Sequence, residues 1–410
     1  MNTTLFPCAP ATPSSTFEQR VARGLTWGLF VALWGKLLVS VMLTQPVIDA
    51  EADSLYNRLA DALLLGVLLA GLLTYADAIL QRAPLMLVVV PFGLASFLTT
   101  ELLSGLNFST AVFEYLKIVT PALMSVLLLR LFEREPALAI RLMKATLALI
   151  WGLVIVALIF LPPSLNRGGE LFWPVYFASL HTSSYLVVVC AALSLYLFEA
   201  GELGRRTLIG LLVFSVVLVF HGWGVRTSMV AALAFGIVVL IQRTRLAPVA
   251  LFVLLVVGLA AAFVPLLFGL IHLPSWDEMV ELTSGRFSMW LQKIDILANS
   301  SLSEWLFGHG EGSDWIVSEV WWWSAKDSHN DFIRLLNQQG LVGLGAVLAV
   351  LSVWARSFPP GVAAPLLAAL VASTAFSNGI MFRPQAGLIM PLALVAAAAA
   401  WQRRQAEAEA

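Results

Sequence analysis

Long apolar stretches alternate with short polar connections along the whole chain. A membrane hydrocarbon core about 30 Å thick needs roughly 20 apolar residues per helix. Runs near this length fall at about 25–44, 59–80, 83–105, 112–132, 138–161, 176–198, 208–222, 227–242, 247–271, 334–355, 361–381 and 386–401. The pattern predicts an all-α polytopic membrane protein with about twelve transmembrane helices. The pair at 208–222 and 227–242 is the weakest, because one interrupted helix would fit it too.

The composition supports a membrane protein. Of the 410 residues, 60% are hydrophobic and only 12% are charged, against roughly 45–50% apolar residues in soluble domains. We find no repeat, nucleotide-binding loop or soluble domain, so we expect no nucleic-acid partner. Cys8 and Cys190 offer no metal-site spacing, and a disulfide between them is not expected. The polar N-terminus is too long for an ordinary secretory signal and is interpreted as a cytoplasmic tail.

Arginine marks every second connection and predicts the orientation. Positively charged connections face the cytoplasm, which places both termini inside and residues 272–333 outside as one large loop. The chain thus divides into 1–271 with nine helices, the loop 272–333, and 334–410 with three helices and a cytoplasmic tail. The cytoplasmic connections contain Arg20, Arg23, Arg82, Arg130, Arg134, Arg205, Arg206, Arg243, Arg245, Arg356, Arg403 and Arg404.

The outer loop has its own helical pattern and is rich in tryptophan. Connections this long are uncommon unless they are functional. Apolar residues at helical spacing predict an amphipathic helix on the membrane surface, with Lys293 on a different face: Phe287, Trp290, Leu291, Ile294 and Leu297. The tryptophans fit either the bilayer interface or stacking against sugar rings: Trp305, Trp315, Trp321, Trp322 and Trp323.

Cationic side chains on the predicted outer face are the main candidates for chemistry. Arg226, Arg286 and Arg383 could hold phosphate, because a guanidinium makes paired hydrogen bonds to it. His329 and His181 could move a proton near neutral pH. The alternative for the arginines is snorkelling to the interface, and for the histidines it is local hydrogen bonding or packing. His221, His272 and His309 are interpreted as structural.

Acidic and glycine residues flank His329. Glu311, Asp314 and Asn330 are further candidates for substrate binding, although solvated loop charge fits both acids, as it does Asp327 and Asp331. No pair among them has a spacing that predicts a metal site. The segment Gly308–Gly312 lets backbone approach a ligand closely or simply forms a turn. Asn330 and Asp331 are suited to cap the next helix and so fix the histidine.

The order of these motifs resembles the O-antigen ligase and polymerase superfamily over about residues 205–350. The elements are Gly224-x-Arg226-Thr227-Ser228, Ser284-Gly285-Arg286 with Trp290, Gly308-x-Gly310-x-Gly312, Ser328-His329-Asn330-x-Phe332 with Leu335-Leu336, and Gly340-Leu341-Val342-Gly343.

The resemblance implies a metal-independent, inverting glycosyltransferase of the GT-C type in the bacterial inner membrane, with its loop in the periplasm. The donor would be an undecaprenyl-diphosphate-linked glycan, and no cofactor is implied. Carried over by motif, Arg226 and Arg286 would hold the diphosphate, and His329 would act on the acceptor hydroxyl.

Three functions remain open at the level of the sequence. A ligase would transfer glycan to lipid A-core oligosaccharide, and the single large outer loop favours it. A polymerase would transfer it to another lipid-linked glycan. A lipid-linked sugar flippase or transporter would use ionisable residues within the spans as a pathway: Lys36, Glu101, Glu114 and Lys117. Glu114 and Lys117 can instead pair on one helix face.

Overall fold

The computed structural model describes residues 16–42, 55–104, 108–165, 171–175, 179–243, 275, 277–278, 280, 285–318, 325–359 and 361–410. These residues are helical apart from turns, irregular loop segments, one short antiparallel pair, β1 and β2 (Ser164–Leu165 and Leu171–Phe172), and an isolated antiparallel bridge between Ile316 and Lys326. The helices are α1 (Thr16–Met42), α2 (Leu55–Thr74), α3 (Ala76–Arg82), α4 (Met86–Ser104), α5 (Phe108–Arg134), α6 (Pro136–Phe160), α7 (Leu180–Glu199), α8 (Arg205–Val216), a π-helix (Val217–Gly222), α9 (Arg226–Arg243), α10 (Arg286–Ala298), α11 (Leu302–Phe307), α12 (Asp331–Arg356), α13 (Ala364–Phe376), a 3₁₀ turn (Ile380–Phe382) and α14 (Pro384–Glu409).

Ten helices within the described residues are long and apolar enough to cross a membrane. This confirms an all-helical, multi-pass membrane protein, and ten of the twelve predicted runs coincide with these helices. The uncertain hairpin is two helices, because the chain breaks between the π-helix and α9. The predicted run 59–80 ends earlier, as α2 stops at Thr74 and α3 follows after Tyr75. The predicted run 247–271 lies outside the described residues.

The predicted span 361–381 is wrong as a continuous helix. Its helical part, α13, has 13 residues, about 20 Å at 1.5 Å per residue, which is too short for the hydrocarbon core. The chain then turns through Ser377–Arg383 before α14 begins. Gly379 permits this turn, because an added Cβ would lie 2.4 Å from the backbone nitrogen of Thr374. Irregular backbone at this position is tolerated where protein buries it or it lines a polar cavity.

Helix α14 is the most buried of the ten spans. It packs against both α7 and α5 and thus lies between them, while α13 packs against α9 and α12 packs against α4. Most α14 positions from Gln385 to Ala400 are buried, many of them alanines. Small side chains allow close approach of helices in a membrane, where packing drives association.

Ion pairs gather the arginine-rich connections at one end of the bundle. Ion pairs link the start of α1, the α2–α3 region and the junction of α5 with α6, and Glu199 pairs with Arg243 and Arg404. Arginines from connections that are far apart in the sequence therefore lie close together in space, within each of these two groups of ion pairs. The predicted alternation of connections between the two membrane faces requires such proximity. That this end faces the cytoplasm stays a prediction from arginine content.

Two helices form within the predicted outer loop, and one confirms the amphipathic segment. Helix α10 spans Arg286–Ala298 as predicted, with Leu291 and Ile294 exposed. Lys293 lies on a different face from these two residues, as expected, but that face is buried, and the Lys293 Nζ lies 2.8 Å from Oδ1 of Asp314. Trp321, Trp322 and Trp323 lie outside the described residues.

Two glycines join the loop to α12. Helix α12 kinks at Gly340, whose φ is 65°, and this leaves carbonyls without intrahelical partners. The backbone nitrogens of His309 and Gly310 donate to the carbonyls of Asn337 and Gln338. A Cβ at Gly308 would meet the Gln338 backbone at 2.4 Å. The glycine segment therefore approaches a helix of its own chain closely.

Candidate active site

A polar cleft of about 480 Å³ opens at the end of the bundle opposite the arginine-rich connections. It lies between the starts of α5, α7 and α12, the loop that precedes α12, and the turn between α13 and α14. Its lining includes Thr110, Glu114, Lys117, Ser179, His181, Glu311, Gly312, Trp315, Lys326, Asp327, His329, Arg334, Ser377, Asn378, Phe382 and Arg383. Four of the sequence candidates line it, namely His181, Glu311, His329 and Arg383.

His329 stands immediately before α12 in an unusual backbone conformation. Its φ is 47°, and it is the only non-glycine residue with positive φ among those described. Such conformations cost about 1–3 kcal/mol and cluster at functional sites. Asn330 fixes the turn as the helix cap, because its Oδ1 accepts from the backbone nitrogens of Phe332 and Ile333. Its Nδ2 donates to the carbonyl of Ala375, 2.8 Å away, so Asn330 is a positioning residue at the edge of the cleft.

Asp327 orients the ring of His329. Nδ1 of His329 hydrogen-bonds to Oδ1 of Asp327, and Nδ2 of Asn378 donates to the other carboxylate oxygen. Burial raises the pKa of Asp327, but the hydrogen bond and charge of His329, together with Arg334, outweigh burial and hold that pKa below its usual range. A carboxylate on Nδ1 makes Nε2 the basic nitrogen of the neutral ring.

Cationic groups from separate helices converge beside this histidine. Arg383 donates to the carbonyl of Asn378 at 3.3 Å and to Oγ of Ser179 at 3.4 Å. Arg286, at the start of α10, donates to the carbonyl of Phe376 at 3.1 Å. Burial lowers the pKa of Arg286, whereas Tyr185 and the charge of Asp327 oppose that change. The charge of Arg226 at the start of α9 adds to the lowering of the Arg286 pKa. The two guanidinium groups therefore repel one another, and a bound anion would relieve that repulsion.

His181 lies close to the same charged side chains. The charges that act on it come from Arg383, His329, Arg286 and Asp327, and its buried Nδ1 has no hydrogen-bond partner in the described part of the chain. The structure thus brings His181, His329, Arg383 and Arg286 within electrostatic reach of one another, and Arg226 acts on Arg286. Neither Arg226 nor Arg286 lines the cleft.

An ion-pair network forms the opposite wall of the cleft. Arg334 of α12 contacts Glu114 at 3.0 Å and Glu311 at 3.1 Å, and Lys117 contacts Glu114 at 2.6 Å. Burial raises the pKa of Glu311, and the Arg334 charge opposes that change. The backbone nitrogen of Glu311 donates to Oε1 of Glu101. Glu114 and Glu311 thus share Arg334, Lys117 contacts Glu114 from the cleft side, and Glu101 holds the backbone of Glu311.

The interpretation of the acidic residues as solvated loop charge was wrong. Asp314, Asp327 and Asp331 are each at most 3% exposed. Asp314 lies outside the cleft lining, where it pairs with Lys293 and accepts from the backbone nitrogen of Ser328 at 2.7 Å. Burial raises the pKa of Asp314 and lowers that of Lys293, while each partner opposes the shift of the other. Asp331 accepts from the backbone nitrogen of Gly379 instead of capping α12.

Several residues of the cleft were missed at the level of the sequence. Arg334 and Asn378 were not candidates, because each lay inside an apolar run predicted as a continuous span. Asp327 was seen only as loop charge, although its place two residues before His329 was a usable signal. Among the described residues, no three His, Cys, Asp or Glu side chains gather in a way that could hold a metal ion.

Comparison of the chain with protein-family models, with curated proteins and with solved structures finds no match. The assignment of a function therefore depends on the geometry of the cleft and on the motif resemblance.

Proposed function

We propose that this protein is an O-antigen ligase, which transfers glycan from undecaprenyl diphosphate to lipid A-core oligosaccharide at the outer face of the bacterial inner membrane. The observation that carries the proposal is the Asp327–His329 pair, held in a strained turn beside convergent arginines at the end of the membrane bundle opposite the arginine-rich connections. A proton acceptor and fixed positive charge are what glycan transfer from a lipid diphosphate requires.

In this mechanism, Nε2 of His329 takes the proton of the acceptor hydroxyl. The resulting oxygen attacks the anomeric carbon of the donor glycan from the face opposite the diphosphate. The carbon–oxygen bond to the diphosphate breaks with inversion, and the lipid diphosphate leaves with the bonding electron pair. Arg226 and Arg286 stabilise the negative charge that develops on the phosphate oxygens, while Asp327 stabilises the imidazolium that forms.

The neighbouring side chains complete the binding of both substrates. Arg383 and His181 line the same cleft as His329 and would contact the diphosphate or the first sugar of the donor. Trp315, which lines the cleft and is 56% exposed, offers a face for a sugar ring. The flippase alternative is weakened, because three of its four pathway candidates form ion pairs, Lys117 with Glu114 and Lys36 with Asp61.

Purified protein supplied with undecaprenyl-diphosphate-linked glycan and lipid A-core tests the proposal. We expect wild-type protein to form glycan-bearing lipid A, and His329→Ala to fold, bind donor and lose about 10²- to 10⁴-fold in rate, as removal of a general base does. His309→Ala is the matched control, because its ring contacts Ser300 and Asn337 outside the cleft. A His329→Ala enzyme within a few-fold of wild type would refute the assignment.

A deletion strain separates a ligase from a polymerase. Loss of a ligase leaves complete polymer on the lipid carrier and lipid A-core without polymer. Loss of a polymerase leaves single repeat units, and these would still be transferred to the core.

A further inference from the structure

A second, apolar groove of about 390 Å³ lies between α2, α5 and α14. Its walls are mainly aliphatic, and the groove includes Leu59, Leu65, Phe113, Leu116 and Leu388. It lies along the first half of each of the three helices, on the side of the bundle that contains the cleft.

Lys117 lines both the groove and the polar cleft. Arg58 and Asp61 add charge to the groove, and Asp61 pairs with Lys36 at 2.7 Å. A hydrocarbon chain in the groove would therefore end at a cation, with its headgroup directed into the cleft. An ammonium at such a boundary can contact a phosphate as a point charge. The joined shape fits a molecule with an anionic sugar head and a hydrocarbon tail.

We propose that this groove holds an acyl chain of the acceptor, a phosphorylated glycolipid, and that Lys117 contacts its phosphate. The identification of that lipid as the acceptor rests on the proposed function. The groove would guide the lipid to His329, and its apolar walls together with Lys117 would select a phosphorylated glycolipid as the acceptor.

The position of the groove favours the acceptor over the donor. The arginines assigned to the donor diphosphate begin α9 and α10, on the α7 side of α14. Helix α14 packs against α7 and also against α5, so the groove opens on the α5 side, across α14 from those arginines. A lipid that enters there brings its head past Lys117 and towards His329 from the side away from the diphosphate. This is the approach that displacement with inversion needs.

Photochemical crosslinking identifies the occupant without requiring catalysis. A benzoylphenylalanine replaces Leu65, which lines the groove, or Leu63 on the same helix, which is 56% exposed and lies outside it. Each full-length protein, in nanodiscs, receives radiolabelled lipid A-core or radiolabelled undecaprenyl diphosphate. We expect lipid A-core to crosslink strongly at position 65 and weakly at position 63, and undecaprenyl diphosphate to crosslink at neither above background.

Transfer assays with Leu65→Trp and the control Leu63→Trp provide the second readout. We expect Leu65→Trp to raise KM for lipid A-core about ten-fold, the factor for about two methylene groups that lose their burial. With core oligosaccharide that lacks acyl chains as the acceptor, Leu65→Trp and Leu63→Trp should transfer glycan at the same rate.

Three results would overturn the inference: equal crosslinking at both positions, preferential crosslinking of undecaprenyl diphosphate at position 65, or equal effects of Leu65→Trp on both acceptors. If position 65 captures lipid A-core but wild-type protein transfers glycan to neither acceptor, the proposed function fails and the glycolipid site stands.

Discussion

Asp327→Asn is the substitution that tests the geometry of the site most directly. The carboxylate is buried, with one oxygen on Nδ1 of His329 and the other on Nδ2 of Asn378. Asparagine has nearly the same shape, so the turn should persist while the negative charge is lost. A hydrogen bond to a charged group contributes about 1.5–3 kcal/mol. If the hydrogen bond to Asp327 stabilises mainly the imidazolium that forms in the transition state, its loss lowers kcat about 10- to 150-fold.

The assay is glycan transfer by purified protein, with kcat and donor affinity measured separately. We expect kcat to fall and donor affinity to stay near the wild-type value, because Asp327 acts through His329 rather than on the diphosphate. In a double variant with His329→Ala, Asp327→Asn should add little to the loss, since its partner is already absent. Full additivity in that cycle, or wild-type kcat in the single variant, would refute the positioning role.

The same substitution has a pH signature in stability. The folded-state pKa of Asp327 is depressed, so its ionised form stabilises the fold above the unfolded-state pKa of about 3.9 and loses this effect as the pH falls towards the folded value. The difference in melting temperature between wild type and Asp327→Asn should therefore be largest above about pH 4 and shrink below it. A difference that stays constant down to pH 3 would contradict this account.

Three further predictions concern the arginines, the glycine contact and the buried pair. Arg226→Lys and Arg286→Lys should each express normally and lose about 10- to 100-fold in transfer, because lysine lacks the paired hydrogen bonds; normal product from both would remove the phosphate role. Gly308→Ala should destabilise by about 2–5 kcal/mol through strain and overpacking, whereas Gly345→Ala, with no atom within 4 Å of its added Cβ, should stay within about 1 kcal/mol of wild type. Asp314→Asn should cost about 3–5 kcal/mol by leaving its lysine charge buried and unpaired; thermal unfolding would show this, and an unchanged melting temperature would contradict it.

The helices were predictable where apolar length alone determines them. Helices α5, α6 and α12 lie within a few residues of their predicted limits, because continuous apolar runs must satisfy their backbone internally in lipid. Hydropathy fails at Ser377–Arg383, where apolar residues on both sides hide a turn. Gly379, which is packed against the end of α13, fixes that break, and contacts of that kind are invisible in a hydropathy profile.

The site was predictable by residue type more than by partner. His329, which lines the cleft, was singled out through its motif, and Asn330, which caps α12, through the start of that helix. The buried acids were misjudged, because burial of Asp314 depends on Lys293 of another helix, and one-dimensional patterns show charge but not pairing. The burial of Lys293 was not foreseen for the same reason.

The contact between Gly308 and Gly340 also determines where the chain can gain or lose residues. It fixes the loop to one position along α12, so insertions between Ser318 and Ala325, beyond the contacts of Asp314 and the Ile316–Lys326 pairing, should leave Gly308 and His329 in place. A deletion between His329 and Gly340 would be far more harmful. Each residue removed from a helix rotates the segment before it by about 100° relative to the segment after it, which would turn Arg334 away from its two glutamates. Among divergent relatives of this chain, length should therefore vary before His329 and stay constant after it.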